Sequence, residues 1–264
     1  MTAATEIWGY RNLIYNLAQR ELRARYKKSL LGWLWSLINP ASMLAIYSVV
    51  FGVFLKVTPP VAGNGETQVF ALYLFAGLVV WNYFSATVNG AIAALQASGG
   101  LLNKVYFPPA CPAIANMITV LLQAVIEGTI LAVVMIALGN VGPTYLLFPV
   151  LLVFVSLFSL GLGLVLSVYN VYYRDVGYLV GIFMQLLFYA TPIVYPLDIV
   201  PEAAQRIIRL NPLTQFVEWS RDAFYNLRWP GAGSTLIVVV SSVAAFVVGW
   251  WVFSVKARTV AEEL

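Results

Sequence analysis

The stretch that decides the fold runs from Gly128 to Tyr173: GTILAVVMIALGNVGPTYLLFPVLLVFVSLFSLGLGLVLSVYNVYY. It contains no Asp, Glu, Lys or Arg. A helix crosses the hydrocarbon layer of a bilayer with roughly 20 apolar residues, so this run has room for two. Gly139-Asn140-Val141-Gly142-Pro143 divides it with residues that form turns. Five further charge-free runs flank it: Ser29–Leu55, Thr67–Asn103, Val105–Ile126, Val176–Leu197 and Trp229–Val255. Together they predict an all-α polytopic membrane protein with six transmembrane helices. The spans fall at about 33–56, 68–92, 113–138, 145–170, 177–195 and 234–255.

The composition agrees. Of 264 residues, 61% are hydrophobic and 10% charged, against about 45–50% and about 25% in a soluble domain. Mean hydropathy is +0.84. Too little polar surface exists to cover a soluble globule, and too much apolar surface exists for a disordered chain. One Cys precludes an internal disulfide. With no His, only carboxylates are left as metal ligands, and no metal site is expected.

An even span count puts both termini on one side, and the basic residues choose the side. Arg11, Arg20, Arg23, Arg25, Lys27, Lys28, Lys104, Arg174, Lys256 and Arg258 share one side. Lys56, Arg206, Arg209, Arg221 and Arg228 share the other. Both termini are therefore expected in the cytoplasm. The basic N-terminal region is too long for a signal peptide.

Three segments are not spans. Residues 6–28 place Asn12, Asn16, Gln19, Arg20, Arg23 and Lys27 on one helical face, and Ile7, Tyr10, Leu13, Ile14, Leu17, Ala18 and Leu22 on the other. That pattern predicts an amphipathic helix in the membrane interface, or simply a topogenic anchor. Residues 98–112 open on Ser98-Gly99-Gly100 and close on Pro108-Pro109 and Pro112. This loop could set a short element at an angle to take force from a partner, or serve as a connector. In the third segment, Thr191-Pro192 and Tyr195-Pro196 disturb the end of span five. A helix then starts at Val200-Pro201-Glu202 and stops before Asn211-Pro212, where Asn211 can cap a second helix. Residues 198–228 thus read as two short re-entrant or gate helices, with an external surface loop as the alternative.

Within the spans, Asn116, Thr119, Gln123 and Glu127 share a narrow sector of span three. An intramembrane Glu127 should not face lipid. The sector either faces a pathway or makes interhelical hydrogen bonds, and the lack of a partner base favours the second. Met43, Tyr47, Phe51 and Phe54 share a face of span one, and Tyr178, Gln185 and Tyr189 a face of span five. Tyr offers an apolar body and a polar tip, which suits the flat faces and hydroxyl edges of sugars as well as ordinary packing. Ser159, Gly163 and Ser167, and likewise Gly177 and Gly181, have the spacing that lets helices approach closely. No G-x-x-x-x-G-K-[ST] phosphate loop occurs, so any ATPase is another chain.

Three stretches together resemble one family: Glu21-Leu-Arg-Ala-Arg-Tyr-Lys-Lys-Ser-Leu-Leu-Gly-Trp-Leu-Trp-Ser-Leu-Ile-Asn-Pro40 running on to Val50-Phe-Gly-Val-Phe54; Asn170-Val-Tyr-Tyr-Arg-Asp-Val176; and Thr191-Pro-Ile-Val-Tyr-Pro196 with Val200-Pro201 and Leu210-Asn-Pro-Leu213. This resembles the membrane (permease) subunit of type-2 ABC exporters for cell-surface polysaccharides. The group is Wzm-like and includes O-antigen, teichoic-acid and mycobacterial galactan exporters. The resemblance implies a homodimer of six-span subunits with two ATP-binding ABC subunits, which carry ATP and Mg. No cofactor is expected on this chain, and no nucleic acid among its partners.

It further implies a channel for a lipid-linked polysaccharide across the bacterial plasma membrane, lined by Tyr47, Phe51, Phe54, Tyr178, Gln185 and Tyr189. Residues 6–28 and 98–112 would meet the ATPase, the latter through Leu102, Asn103, Lys104, Tyr106 and Phe107. Pro192, Pro196, Pro201, Pro212 and Phe216 would build the outer gate. Arg20, Arg23, Arg25, Lys27 and Lys28 would meet the lipid carrier's pyrophosphate or anionic headgroups. Gln123 and Glu127 are the intramembrane polar pair. The rival readings are an ABC permease for a small lipid or drug, a membrane-embedded enzyme, and an ion-coupled transporter.

Overall fold

A computed structural model of the chain describes residues 3–27, 29, 31–102, 107–173 and 175–263. Among them every regular element is helical. Two helices, α1 (Ala3–Gly9) and α2 (Arg11–Tyr26), precede the first long one. The continuous amphipathic helix expected over 6–28 is therefore divided at Tyr10, just after Gly9, whose flexible backbone weakens a helix. A 3₁₀ turn (Gly32–Leu34) leads into α3 (Trp35–Tyr47), which widens into a π-helical stretch, Ser48–Phe54. Next come α4 (Phe70–Ala97), the short α5 (Gly99–Leu102) and α6 (Cys111–Ala137). A 3₁₀ turn, Pro143–Leu146, opens α7 (Leu147–Tyr172), which is followed by α8 (Asp175–Ala190), α9 (Glu202–Leu210) and α10 (Pro212–Arg221). After α10 a π-helical turn, Asp222–Asn226, leads on to α11 (Ala232–Glu263).

Five segments are long and apolar enough to cross a membrane: Gly32–Phe54, Phe70–Ala97, Cys111–Ala137, Pro143–Tyr172 and Ala232–Lys256. The chain is a multi-pass membrane protein. α8 is apolar but has 16 residues, about 24 Å of helix. It stops at Ala190, short of the span expected over 177–195. Pro192 lacks the N–H a continuing helix would use, and Thr191–Tyr195 turns away instead.

The Gly139–Pro143 turn separates α6 from α7 as its residues predict. Gly139 takes a left-handed backbone (φ 74°) that a side chain would strain. α4 sits at the centre, packed by α6, α7 and α10, while α11 lies along α7. Burial is very uneven. α4 is mostly buried, whereas the α3 segment is hardly buried at all. Gly163 of α7 meets Ala91 of α4 so closely that a β-carbon would overlap it, so the small-residue row packs α7 on α4. Gly161 and Gly249 likewise bring the α7 and α11 backbones together. Gly181, from the other small pair, has open space before it.

Candidate functional site

α2 presents the basic face. Ile14, Leu17 and Ala18 are buried against Phe107, Cys111 and Ala115. The opposite face is open, and Asn16, Gln19, Arg20, Arg23, Ala24 and Lys27 border a shallow groove of about 560 Å³. Arg20, Arg23 and Lys27 are exposed, with no acid paired to them among the described residues. Trp8 and Tyr15 are exposed on the same helix pair, and Arg11 lies 5.6 Å from the centre of the Trp8 ring. Phe107, just before α6, thus meets α2 in one apolar contact. Arg25 and Leu102 are described by backbone alone, within α2 and α5. Lys28, Asn103, Lys104, Tyr106 and Arg174 lie outside the described residues.

The two aromatic rows differ in setting. Tyr47 and Phe51 are half-buried, with ring centres 6.2 Å apart, and Phe51 packs on Phe70 at 4.8 Å. Phe54, Tyr178, Gln185 and Tyr189 are exposed. The chain's own packing does not join the rows: α3 lies on α4 and α6, and α8 on α4 and α7. Only Val180 and Met184 of α8 are buried. Beside them an apolar cavity of about 600 Å³ opens between α4, α7, α8 and α10, with Phe84, Phe158, Leu162 and Phe183 on its walls.

The segment after α8 is held much more firmly. Pro192 and Pro196 flank a non-helical stretch whose Ile193 is fully buried. Pro201 caps α9, whose Ile207 and Leu210 stay exposed. Asn211 caps α10: its Oδ1 accepts the Leu213 N–H at 3.0 Å, and its Nδ2 donates to Thr191 Oγ1 at 3.1 Å. Pro212 at the first turn needs no hydrogen-bond partner there. α10 is core rather than surface. Phe216, Val217 and Trp219 are buried between α4, α7 and α11.

Arg221 and Asn140 fix this arrangement. The Arg221 side chain is fully buried. Its Nη1 pairs with Glu218 at 2.8 Å, its Nη2 donates to the Ile193 carbonyl at 2.8 Å, and its Nε donates to the Tyr73 carbonyl at 3.4 Å. The guanidinium lies 3.8 Å from the centre of the Tyr73 ring. Asn140 Oδ1 accepts the Asn64 N–H at 2.8 Å, and its Nδ2 donates to the Phe224 and Tyr225 carbonyls at 2.7 and 3.1 Å. Tyr225 O–H reaches the Pro60 carbonyl at 2.9 Å, and burial pushes this phenol up to about 12. Burial also raises Asp222 above the usual carboxylate range, opposed by a 2.9 Å hydrogen bond from Asn226.

The polar sector of α6 meets three other helices. Asn116 Nδ2 donates to Glu21 Oε1 of α2 at 2.8 Å. Gln123 Nε2 donates to the Ser36 carbonyl of α3 at 3.2 Å and to Glu127 at 3.3 Å. Asn82 Nδ2 of α4 donates to Glu127 at 3.3 Å. Thr119 bonds only its own helix, at the Ala115 carbonyl. A small cavity of about 70 Å³ adjoins Glu127, with Asn39, Tyr47 and Asn82 among its walls. Among the described residues no cluster of His, Cys, Asp and Glu could hold a metal.

Residues 12–225 match the ABC-2 type transporter family. The chain belongs to that family. It is 32% identical to the O-antigen export system permease protein RfbA of Myxococcus xanthus, over 98% of both chains. An O-antigen export system permease protein RfbA of Klebsiella pneumoniae is 27% identical over 81% of each. The polysialic acid transport protein KpsM of Escherichia coli is 26% identical over 77% of this chain and 78% of its own. Membership makes this ABC-2 chain a membrane component of a transporter, not an enzyme.

In the sequence Arg221 stands among the ordinary charges of the outer side. The available signal was its position three residues after Glu218 on a helix whose other residues were mostly apolar. Asn140 was read only as part of a turn, although its burial follows from the packing of that turn on Phe224 and Tyr225.

Proposed function

We propose that this chain is the permease of an ATP-driven exporter of lipid-linked polysaccharide, moving its substrate from the cytoplasm to the outer face of the bacterial plasma membrane. The observation that carries the reading is likeness along 98% of the chain to an O-antigen export permease. In this proposal α8 joins the five long spans as a sixth, crossing a locally thinned bilayer, and both termini are cytoplasmic. Two copies associate, and two ABC subunits supply ATP hydrolysis. The exposed apolar surfaces of α3 and α8 support such an association. Leu37, Ile46, Ile182 and Leu186 would otherwise leave their helices facing lipid on nearly every side.

The aromatic rows Tyr47, Phe51, Phe54 and Tyr178, Gln185, Tyr189 line the glycan path across the two copies. Arg20, Arg23 and Lys27 hold the carrier's pyrophosphate through charge-assisted hydrogen bonds. The shared apolar contact of α2 with Phe107 supports a single docking platform for the ATPase. The Pro192–Phe216 region forms the outer gate.

The test is transport in inverted membrane vesicles that carry the source strain's radiolabelled lipid-linked glycan on their outward-facing cytoplasmic leaflet. ATP should drive the label into the vesicle lumen, and Arg23→Gln, Arg25→Gln and Lys27→Gln together should slow this while the complex still assembles. ATP-independent or absent movement in wild-type vesicles refutes the proposal. Unchanged movement in the triple variant removes the pyrophosphate role alone.

A further inference from the structure

α3 is held in an unusual way. Of its residues only Ser36 and Pro40 are buried: Ser36 where Gln123 of α6 reaches its carbonyl, Pro40 beside a small cavity that Glu127 of α6 also lines. Pro40 has no N–H, so the Ser36 carbonyl, four residues earlier, loses its helical donor. Gln123 Nε2 supplies the missing donor at 3.2 Å. Inside a membrane a freed carbonyl is tolerated when a neighbouring helix satisfies it in this way. Two turns of α6 toward α2, Asn116 makes the second tie, to Glu21 at 2.8 Å. Asn116 is buried directly opposite Gly90 of α4, where a β-carbon would overlap its carboxamide. One turn the other way, Glu127 closes the row on Asn82.

Asn116, Gln123 and Glu127 lie within about 40° of one another around α6. One side of one core helix thus carries a bond to each of α2, α3 and α4.

We propose that this stripe of α6, with Glu21 and the Pro40 gap as its counterparts, is the link by which movement of α2 is passed to α3 and the channel. The inference rests on the reading above that α2 meets the ATPase. Three features suit a link rather than a permanent brace. Asn116 Oδ1 has no partner, so this residue is held by its amino group alone. α3 has little apolar packing to hold it if the ties shift. The small cavity beside Glu127 is also lined by Asn39 and Tyr47 of α3, which would offer the carboxyl a second set of partners if α3 slides. Coupling of this kind needs an element with two discrete arrangements, and in this proposal the second is the row shifted toward the spare cavity.

The experiment uses the full complex with its ATPase in proteoliposomes. Spin labels are placed on exposed Ile46 of α3 and Val133 of α6, and their separation is measured without nucleotide and after vanadate trapping. Wild type should show a change in separation. Asn116→Leu, and Gln123→Leu at the α3 tie, should keep ATP hydrolysis within about twofold but lose the change, with transport per ATP falling about fivefold. Glu21→Gln keeps an acceptor and should behave as wild type. Leu variants that hydrolyse ATP and still show the full change overturn the link while leaving the transporter reading intact. A wild-type complex that transports glycan without any change also overturns the link alone. A wild-type complex that neither changes nor transports overturns both.

Discussion

Replacing Arg221 with Met keeps the bulk of a long side chain and removes its charge and donors. The loss can be counted from its contacts. The Glu218 pair and the Ile193 carbonyl bond are both 2.8 Å, and the guanidinium stacks 3.8 Å from the Tyr73 ring centre. Each hydrogen bond to a charged group contributes about 1.5–3 kcal/mol, and a desolvated cation–π contact about 2 kcal/mol. The Ile193 carbonyl would be left buried without its donor, while Glu218, partly exposed, can turn to water. With Glu218 rehydrated, the lost Ile193 bond and the lost stack on Tyr73 set the expected cost of Arg221→Met at about 3–5 kcal/mol. Arg221→Lys should recover part of it, because an ammonium can reach one of the two acceptors but cannot stack as a plane. Cys111 provides the assay. It is the only cysteine and fully buried, so a thiol-reactive fluorophore reports unfolding of detergent-solubilised protein. An Arg221→Met protein within about 1 kcal/mol of wild type would refute the assignment of Arg221 as the anchor of α10.

Asn140→Ala removes three side-chain hydrogen bonds at once and should destabilise by about 3 kcal/mol, read by the same thiol assay. Gly249→Val should weaken folding more than Gly181→Val, because a β-carbon at 249 meets the Gly161 backbone whereas 181 faces open space; comparing their melting temperatures checks this. Asp222→Asn should stabilise the protein increasingly as pH rises. Burial raises the folded-state pKa of Asp222 above its unfolded value, so the folded chain binds the proton more tightly. The stability this gives is present below the unfolded pKa and is lost as pH rises through the folded one. Melting scans of both proteins from pH 4 to pH 8 should show a widening gap, and a constant gap contradicts the assignment.

Much of this architecture was legible because membrane spans are written in composition. The run from Gly128 to Tyr173 announces two helices, and Gly139 marks their junction with a backbone only glycine adopts easily. Asn211-Pro212 announces α10 because a capping carboxamide and a proline each have one favourable position at a helix start. What could not be read was tertiary. The sequence shows α10 as amphipathic, yet it is buried nearly all round, because Arg221 finds carbonyls and a ring from distant segments. The break at Tyr10 sits after a single glycine in an otherwise regular pattern. Gln123 was visible as a polar residue, but its task depends on Pro40 freeing a carbonyl on another helix. The two aromatic rows could be assigned to faces but not to each other, since α3 packs on α4 and α6 whereas α8 packs on α4 and α7.

The measurement that tests the central claim most directly is the sidedness of the glycan in cells lacking this chain. Deleting the gene and pulse-labelling the polysaccharide should leave full-length, lipid-linked glycan on the cytoplasmic face, protected from an externally added glycosidase. Restoring the gene should make the label accessible. Glycan reaching the outer face at the normal rate without this chain would contradict the account.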